Sequence, residues 1–211
     1  MNTLRASGLG FVVVLSWFAT AGVASAASAH VYLIRGLNNV SVGLDAIGAR
    51  LAQQGVAASV YGDEAAGTVA SEAARAYAAG VHSIILVGHS LGGGAAVSAA
   101  RQLGASGVPV NLLILLDPVG AAGVPSNVQR VINLYVGVGG GVAVGAEAGF
   151  RGSLNNLDLS NDPAHPDHMT IQSSPAMQDR IITYIRSAAS EGRAAPVHHA
   201  QAGRIQRRHR R

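Results

Sequence analysis

Two almost uninterrupted apolar runs, SIILV at 83–87 and NLLILL at 111–116, limit what this chain can fold into more than any other feature. A strand with one wet face alternates apolar and polar residues. Runs like these need cover on both faces, which is the situation of a parallel strand inside a sheet. Parallel neighbours require a crossover, and the segment between the runs, from Leu91 to about Leu103, reads as its helix. The same rhythm extends in both directions. HVYLI (30–34), AASVY (57–61) and RVINLYV (130–136) are further strand candidates. VGLDAIGARLAQQ sets Leu44, Ile47 and Leu51 at helical spacing, and AGTVASEAARAYAAG does the same with Val69, Ala73 and Tyr77. A last helix near Pro175 to Ala189 carries Met177, Ile181, Tyr184, Ile185 and Ala188 on one side. The expectation is one three-layer α/β domain over residues 27–190, with a mainly parallel sheet of about five to six strands. An eight-unit barrel would need more chain.

Two segments stand outside the rhythm. GVGGGVAVGAEAGF (137–150) reads as a loop. It has no G-x-G-x-x-G between a strand and a helix, so phosphate binding is not expected. RGSLNNLDLSNDPAHPDH (151–168) is dense in Asn, Asp, Pro and His and reads as turns.

The beginning and the end of the chain differ from its body. Arg5, an apolar block from about Leu9 to Val23, and the small-residue sites Ala24-Ser25-Ala26 and Ala27-Ser28-Ala29 form a secretory signal-peptide pattern. This predicts cleavage after Ala26, or alternatively Ala29, and an exported protein, periplasmic or extracellular. The block is short for a membrane span and is broken by Ser16, Thr20 and Gly22; no later segment is a candidate span. All 15 basic residues are arginine, and five of them lie in GRIQRRHRR at the end. Between His30 and Ser190 there are 8 arginines against 10 acidic residues, so the formal charge of +4 belongs to a basic tail, expected to be disordered over 191–211. Such a tail suits either fraying in solvent or weak contact with an anionic surface. Nucleic-acid binding is not expected, because basic and aromatic residues are not interleaved. The absence of cysteine excludes disulfides and thiol catalysis.

The run SIILV leads straight into Gly88-His89-Ser90-Leu91-Gly92. With 27 Gly and 18 Ser in 211 residues, a shuffled chain would contain G-x-S-x-G roughly 0.3 times, so the bare pattern says little. Its setting says more. A nucleophile elbow needs a strand, a sharp turn and a helix in that order, so that the serine hydroxyl stands above the sheet edge. The glycines on either side make room, and the helix N-terminus directs backbone N–H groups at the reacting centre.

With GHSLGG at 88–93, the chain resembles the α/β-hydrolase superfamily. HVYLIRGLNNVSVGLDAIGARLAQQG, LLILLDP and NNLDLSNDPAHPDHMTI resemble segments of small exported bacterial hydrolases of thioesterase-like and lipase-like type, over roughly residues 30 to 188. The resemblance implies a compact α/β-hydrolase fold without a large lid, and Ser90 as nucleophile. It also implies the chain order serine, acid, base. Asp117 ends the next strand candidate and so reaches the same sheet edge as Ser90, with Asp158, Asp162 and Asp167 as rivals and a turn cap before Pro118 as the alternative role. Of the eight histidines, only His165 and His168 follow the acid and precede the last helix, and DHMTI in the related hydrolases favours His168. Pro163 and Pro166 oppose the helix that would make His165 and His168 a metal pair, so neither metal nor cofactor is expected.

An oxyanion needs two preorganised N–H donors. Leu91 is expected to supply one. Leu37, with Gly36 as second choice, is expected to supply the other from the loop after the first strand. Arg35 stands where the commoner pattern has histidine, and suits either an ion pair or an anionic substrate group. These expectations describe an exported serine hydrolase that cleaves a small acyl ester or thioester through an acyl-enzyme. The alternatives are an acyltransferase using the same triad and a catalytically silent binding protein on the same fold.

Overall fold

The computed structural model describes residues 29–121, 123–137 and 141–194. The expected signal peptide over 1–26 lies outside them. Six strands form one sheet: β1 (Ala29–Ile34), β2 (Ala57–Tyr61), β3 (Ser83–His89), β4 (Leu112–Leu116), β5 (Arg130–Tyr135) and β6 (Ser153–Asp158). Their order is β2-β1-β3-β4-β5-β6, and every neighbouring pair is parallel. Four helices cover it: α1 (Gly43–Gln53), α2 (Ala66–Ala78), α3 (Leu91–Ala105) and α4 (Pro175–Ala194). Helix α4 continues through Ala194, so the basic tail expected from residue 191 begins as helix, and the rest of it lies outside the described residues.

The two apolar runs behave as their texture requires. Every residue of β3 and of β4 is buried. In β3, Ile85 and Val87 join the core beneath α1 and α4, whereas Ile84 and Leu86 join the core beneath α2 and α3. In β4, Leu112, Ile114 and Leu116 take the first side and Leu113 and Leu115 the second. This period-2 division of one apolar string between two cores is what a parallel strand with helices on both faces needs. Each fully buried Leu or Ile contributes roughly 1.5–3 kcal/mol of burial. Helix α1 turns Leu44, Ile47 and Leu51 inward, and α4 turns Met177, Ile181 and Ile185 inward.

Strand β6 falls inside the segment expected to be turns. Its sequence, SLNNLD, is mostly polar and half exposed, because it is an edge strand paired only with β5. An edge strand with one free side tolerates polar residues that an interior strand does not. The glycine-rich segment is a loop where it is described, and it is pinned to the sheet by asparagines. Asn133 Nδ2 donates to Val142 O at 2.9 Å, and Asn156 exchanges bonds with the Val144 backbone.

The chain runs from β1 to β2 on one side, then crosses back to β3 on the other side of β1. Strand order therefore reverses between β1 and β3, and in open α/β sheets the crevice at the carboxyl ends of such a pair takes the ligand. The described chain both starts and finishes at the opposite, amino edge. Ala29 pairs with Ser83 at the foot of β3, and Ser83 Oγ donates to Ala188 O near the end of α4 at 3.3 Å.

Candidate active site

Ser90 occupies the junction of β3 and α3 with φ 56° and ψ −123°. This backbone conformation is strained for any L-residue and costs on the order of 1–3 kcal/mol. The turn is possible because Gly88 and Gly92, two positions to either side of Ser90, carry no side chains. A Cβ at Gly88 would lie 2.2 Å from Gly92 O, and one at Gly92 would lie 2.2 Å from Ile34 O. Backbone bonds hold the turn, with Ser90 N donating to Leu116 O at 3.0 Å and Val119 N donating to Ser90 O at 2.9 Å.

The structure brings Ser90, His168 and Asp117 together. Ser90 Oγ and His168 Nε2 are 3.0 Å apart, and His168 Nδ1 and Asp117 Oδ2 are 2.6 Å apart. A carboxylate oxygen accepts, so Nδ1–H donates to Asp117. Nε2 is then free to accept the Ser90 hydroxyl proton. The Asp117 side chain is fully buried, and its second oxygen accepts Val136 N–H at 2.9 Å. Asp117 has φ 44° although a proline follows it, a position that sterics push toward extended backbone. Its own N–H donates to Leu134 O at 2.7 Å, which fixes the residue at the end of the sheet.

The rival acids are engaged elsewhere. Asp158 is bound by the Ser160 hydroxyl and backbone N–H, which hold its carboxyl below the ordinary range. Asp162 pairs with Arg180 at 2.9 Å. Asp167 accepts from the Thr170 hydroxyl and backbone and from Met169 N; these bonds lower its pKa and shape the turn that presents His168. His165 is exposed, with its backbone N–H on Asp162 O. Arg35 makes a two-pronged ion pair with Asp45, so it ties the loop after β1 to the start of α1.

A cleft of about 240 Å³ opens beside Ser90 and is lined by Leu37, Val40, Met169, Gly36 and His168 among others. It lies where strand order reverses, between the loops that follow β1 and β3. The Leu37 and Leu91 N–H groups make no hydrogen bond among the described residues, whereas Gly36 N–H donates to Ser41 Oγ at 2.9 Å. A roomier depression of about 420 Å³ lies between Gln54–Val56 and the end of α4, with Thr183, Arg186 and Ser187 on its wall. It holds no nucleophile–base pair.

Three participants had no signal in the sequence. A Cβ at Gly141 would fall 1.7 Å from Asp117 Oδ1, so this glycine of the loop is where the buried carboxylate fits. Ser41 and His89 are buried beside Ser90 and His168 and bonded to one another. Among the described residues, five non-glycine residues have positive φ: Asn38, Asn39, Ser90, Asp117 and His165. All five lie on loops that leave carboxyl ends of strands, and strain of this kind gathers at functional sites. No protein-family model and no curated protein matches the chain.

Proposed function

We propose that this protein is an exported serine hydrolase of α/β-hydrolase type that cleaves a small acyl ester or thioester. The observation that carries the reading is the continuous chain Ser90 Oγ, His168 Nε2, His168 Nδ1, Asp117 Oδ2, with contacts of 3.0 and 2.6 Å at the carboxyl edge of the sheet. Ser90 Oγ attacks the substrate carbonyl carbon while its proton passes to His168 Nε2. The oxygen that becomes negative is received by the Leu91 and Leu37 N–H groups, worth about 2.7–4 kcal/mol per donor in the transition state. Collapse of the tetrahedral species breaks the bond to the leaving oxygen or sulfur, which takes the proton from His168. Water then attacks the acyl-enzyme, with His168 again accepting the proton, and the acid departs. Asp117 holds the imidazole in the tautomer that both steps require.

The cleft supports an acyl group rather than a charged one. Leu37, Val40 and Met169 are about half exposed at its mouth, and Arg35 is already paired. Its size favours a short chain. Between Asp117 and His168 the described residues form two strands and loops, which fits an open site. No helix of the described residues is long and apolar enough to cross a membrane. The test is covalent labelling with a fluorophosphonate probe. Stoichiometric modification of Ser90, lost in Ser90→Ala together with turnover of short p-nitrophenyl esters or acyl thioesters, is expected. A folded wild type that takes no label would sink the hydrolase reading and favour a binding protein.

A further inference from the structure

His89 precedes the nucleophile, and the triad does not use it. It is only 1% exposed, and its ring centroid is 5.0 Å from that of His168. His89 Nε2 lies 2.7 Å from the backbone carbonyl oxygen of His168, and His89 Nδ1 lies 2.6 Å from Ser41 Oγ. Ser41 is wholly buried, and its hydroxyl oxygen accepts Gly36 N–H. The partners determine the proton positions. A carbonyl oxygen only accepts, so His89 carries its proton on Nε2 and donates to His168 O. In the neutral ring Nδ1 is then an acceptor, and the Ser41 hydroxyl donates to it. The result is a directed chain, Gly36 N–H to Ser41 Oγ–H to His89 Nδ1, then His89 Nε2–H to His168 O.

We infer that His89, through Ser41, is a positioning residue that sets the loop carrying the base against the loop carrying the oxyanion donor. One end of the bridge grips the backbone of His168 itself. The other grips Gly36, and so orients the next peptide, that of Leu37. The two loops lie on either side of Ser90 and are 132 positions apart from Gly36 to His168. No direct hydrogen bond joins them among the described residues. Neither Ser41 nor His89 touches the reacting atoms in this arrangement. Their contribution is the distance between base and oxyanion donors, where an error of about 1 Å costs about 100-fold in rate.

Burial lowers the pKa of the His89 ring, against a raising contribution from its bond to His168 O, so the neutral form that the bridge requires is the favoured one. The titratable groups that face it are His168, which opposes its protonation, and Asp117, which favours it. Protonation would put a hydrogen on Nδ1 and leave the Ser41 hydroxyl without its acceptor.

The inference rests on the hydrolase reading, and two experiments separate their failures. In the first, long-range ¹H–¹⁵N correlation on the wild type at pH 7 should show His89 as the neutral Nε2–H tautomer. An Nδ1–H or doubly protonated ring overturns the bridge, with no variant needed. In the second, His89→Gln retains an amide donor toward His168 O, His89→Asn retains an acceptor toward Ser41, and Ser41→Ala removes the centre of the chain. Each should lower kcat and the rate of fluorophosphonate labelling about 10- to 100-fold, with KM changed by less than about twofold. Folded variants that label and turn over at the wild-type rate overturn the bridge alone. If apparent kcat and labelling fall only in proportion to the folded fraction, and kcat per folded molecule equals the wild-type value, the role is structural and the inference fails. A folded wild type that takes no label overturns the hydrolase reading, and this inference with it.

Discussion

The two edges of the sheet answer the same backbone demand in different ways. At the amino edge, where helices return to strands, the left-handed turn positions are Gly55, Gly80 and Gly107. A Cβ at Gly55 or Gly107 would meet nothing within 4 Å, so glycine is there only because it adopts positive φ without steric cost. At the carboxyl edge Gly120 does the same, but positive φ also falls on Asn38, Asn39, Ser90, Asp117 and His165. Asparagine tolerates it best, whereas a serine, or an aspartate before a proline, does not. The relaxed edge closes the fold. The strained edge accepts a cost wherever a side chain has to stand at one particular point.

The largest effect is expected at Asp117, on the strained edge. Asp117→Asn preserves shape but, with its oxygen kept on Val136 N–H, turns an NH2 donor toward His168 Nδ1 and imposes the wrong tautomer; kcat for ester hydrolysis should fall about 10³- to 10⁴-fold, while thermal unfolding stays cooperative. Loss of less than about tenfold would place the acid elsewhere. At Ser90 the two properties should separate. Ser90→Ala and Ser90→Gly both abolish turnover, but only glycine relieves the strained φ and ψ. Ser90→Gly should therefore be more stable than Ser90→Ala by about 1–2 kcal/mol in urea unfolding, and equal midpoints would show that the turn stores no strain. Gly107→Ala is the counterpart at the relaxed edge. It should cost about 1 kcal/mol through φ alone and leave kcat/KM unchanged.

The smallest effect is one of pH. His89 and His30 both have folded pKa values below the ordinary 6.5, in each case chiefly through burial. The unfolded chain therefore binds more protons than the folded one as pH falls below about 6.5, and stability declines there. It is fully present above that pH. Urea midpoints measured from pH 7.5 to 5 should fall, and the fall should be shallower in His89→Gln. A slope unchanged by that substitution would remove His89 from the account.

Much of this fold was legible because its signals are local. SIILV and NLLILL are continuous strings that only a two-sided environment accepts, and β3 and β4 are the strands they became. That Ser90, Asp117 and His168 come together was legible because two of them directly follow such strands and the third precedes the last helix. Strand β6 was not legible, since SLNNLD has neither apolar continuity nor clear alternation; it exists because β5 offers a partner. Arg35 had two readings, and its bond to Asp45 ten positions on decided for the ion pair. Ser41 and His89 lie 48 positions apart and have no joint pattern, so only the folded chain brings them together. The glycines of 137–150 looked like simple loop residues, yet Gly141 leaves the space in which Asp117 sits.

Ala29 and the last turns of α4 both lie at the foot of the sheet, beneath β3, while Ser90 stands at its head. Both ends of the described residues therefore stand on the side away from the cleft. An immobilising group attached at Ser190, near the end of α4, would thus present Ser90 outward, and preparations anchored there should turn over small esters as fast as free ones.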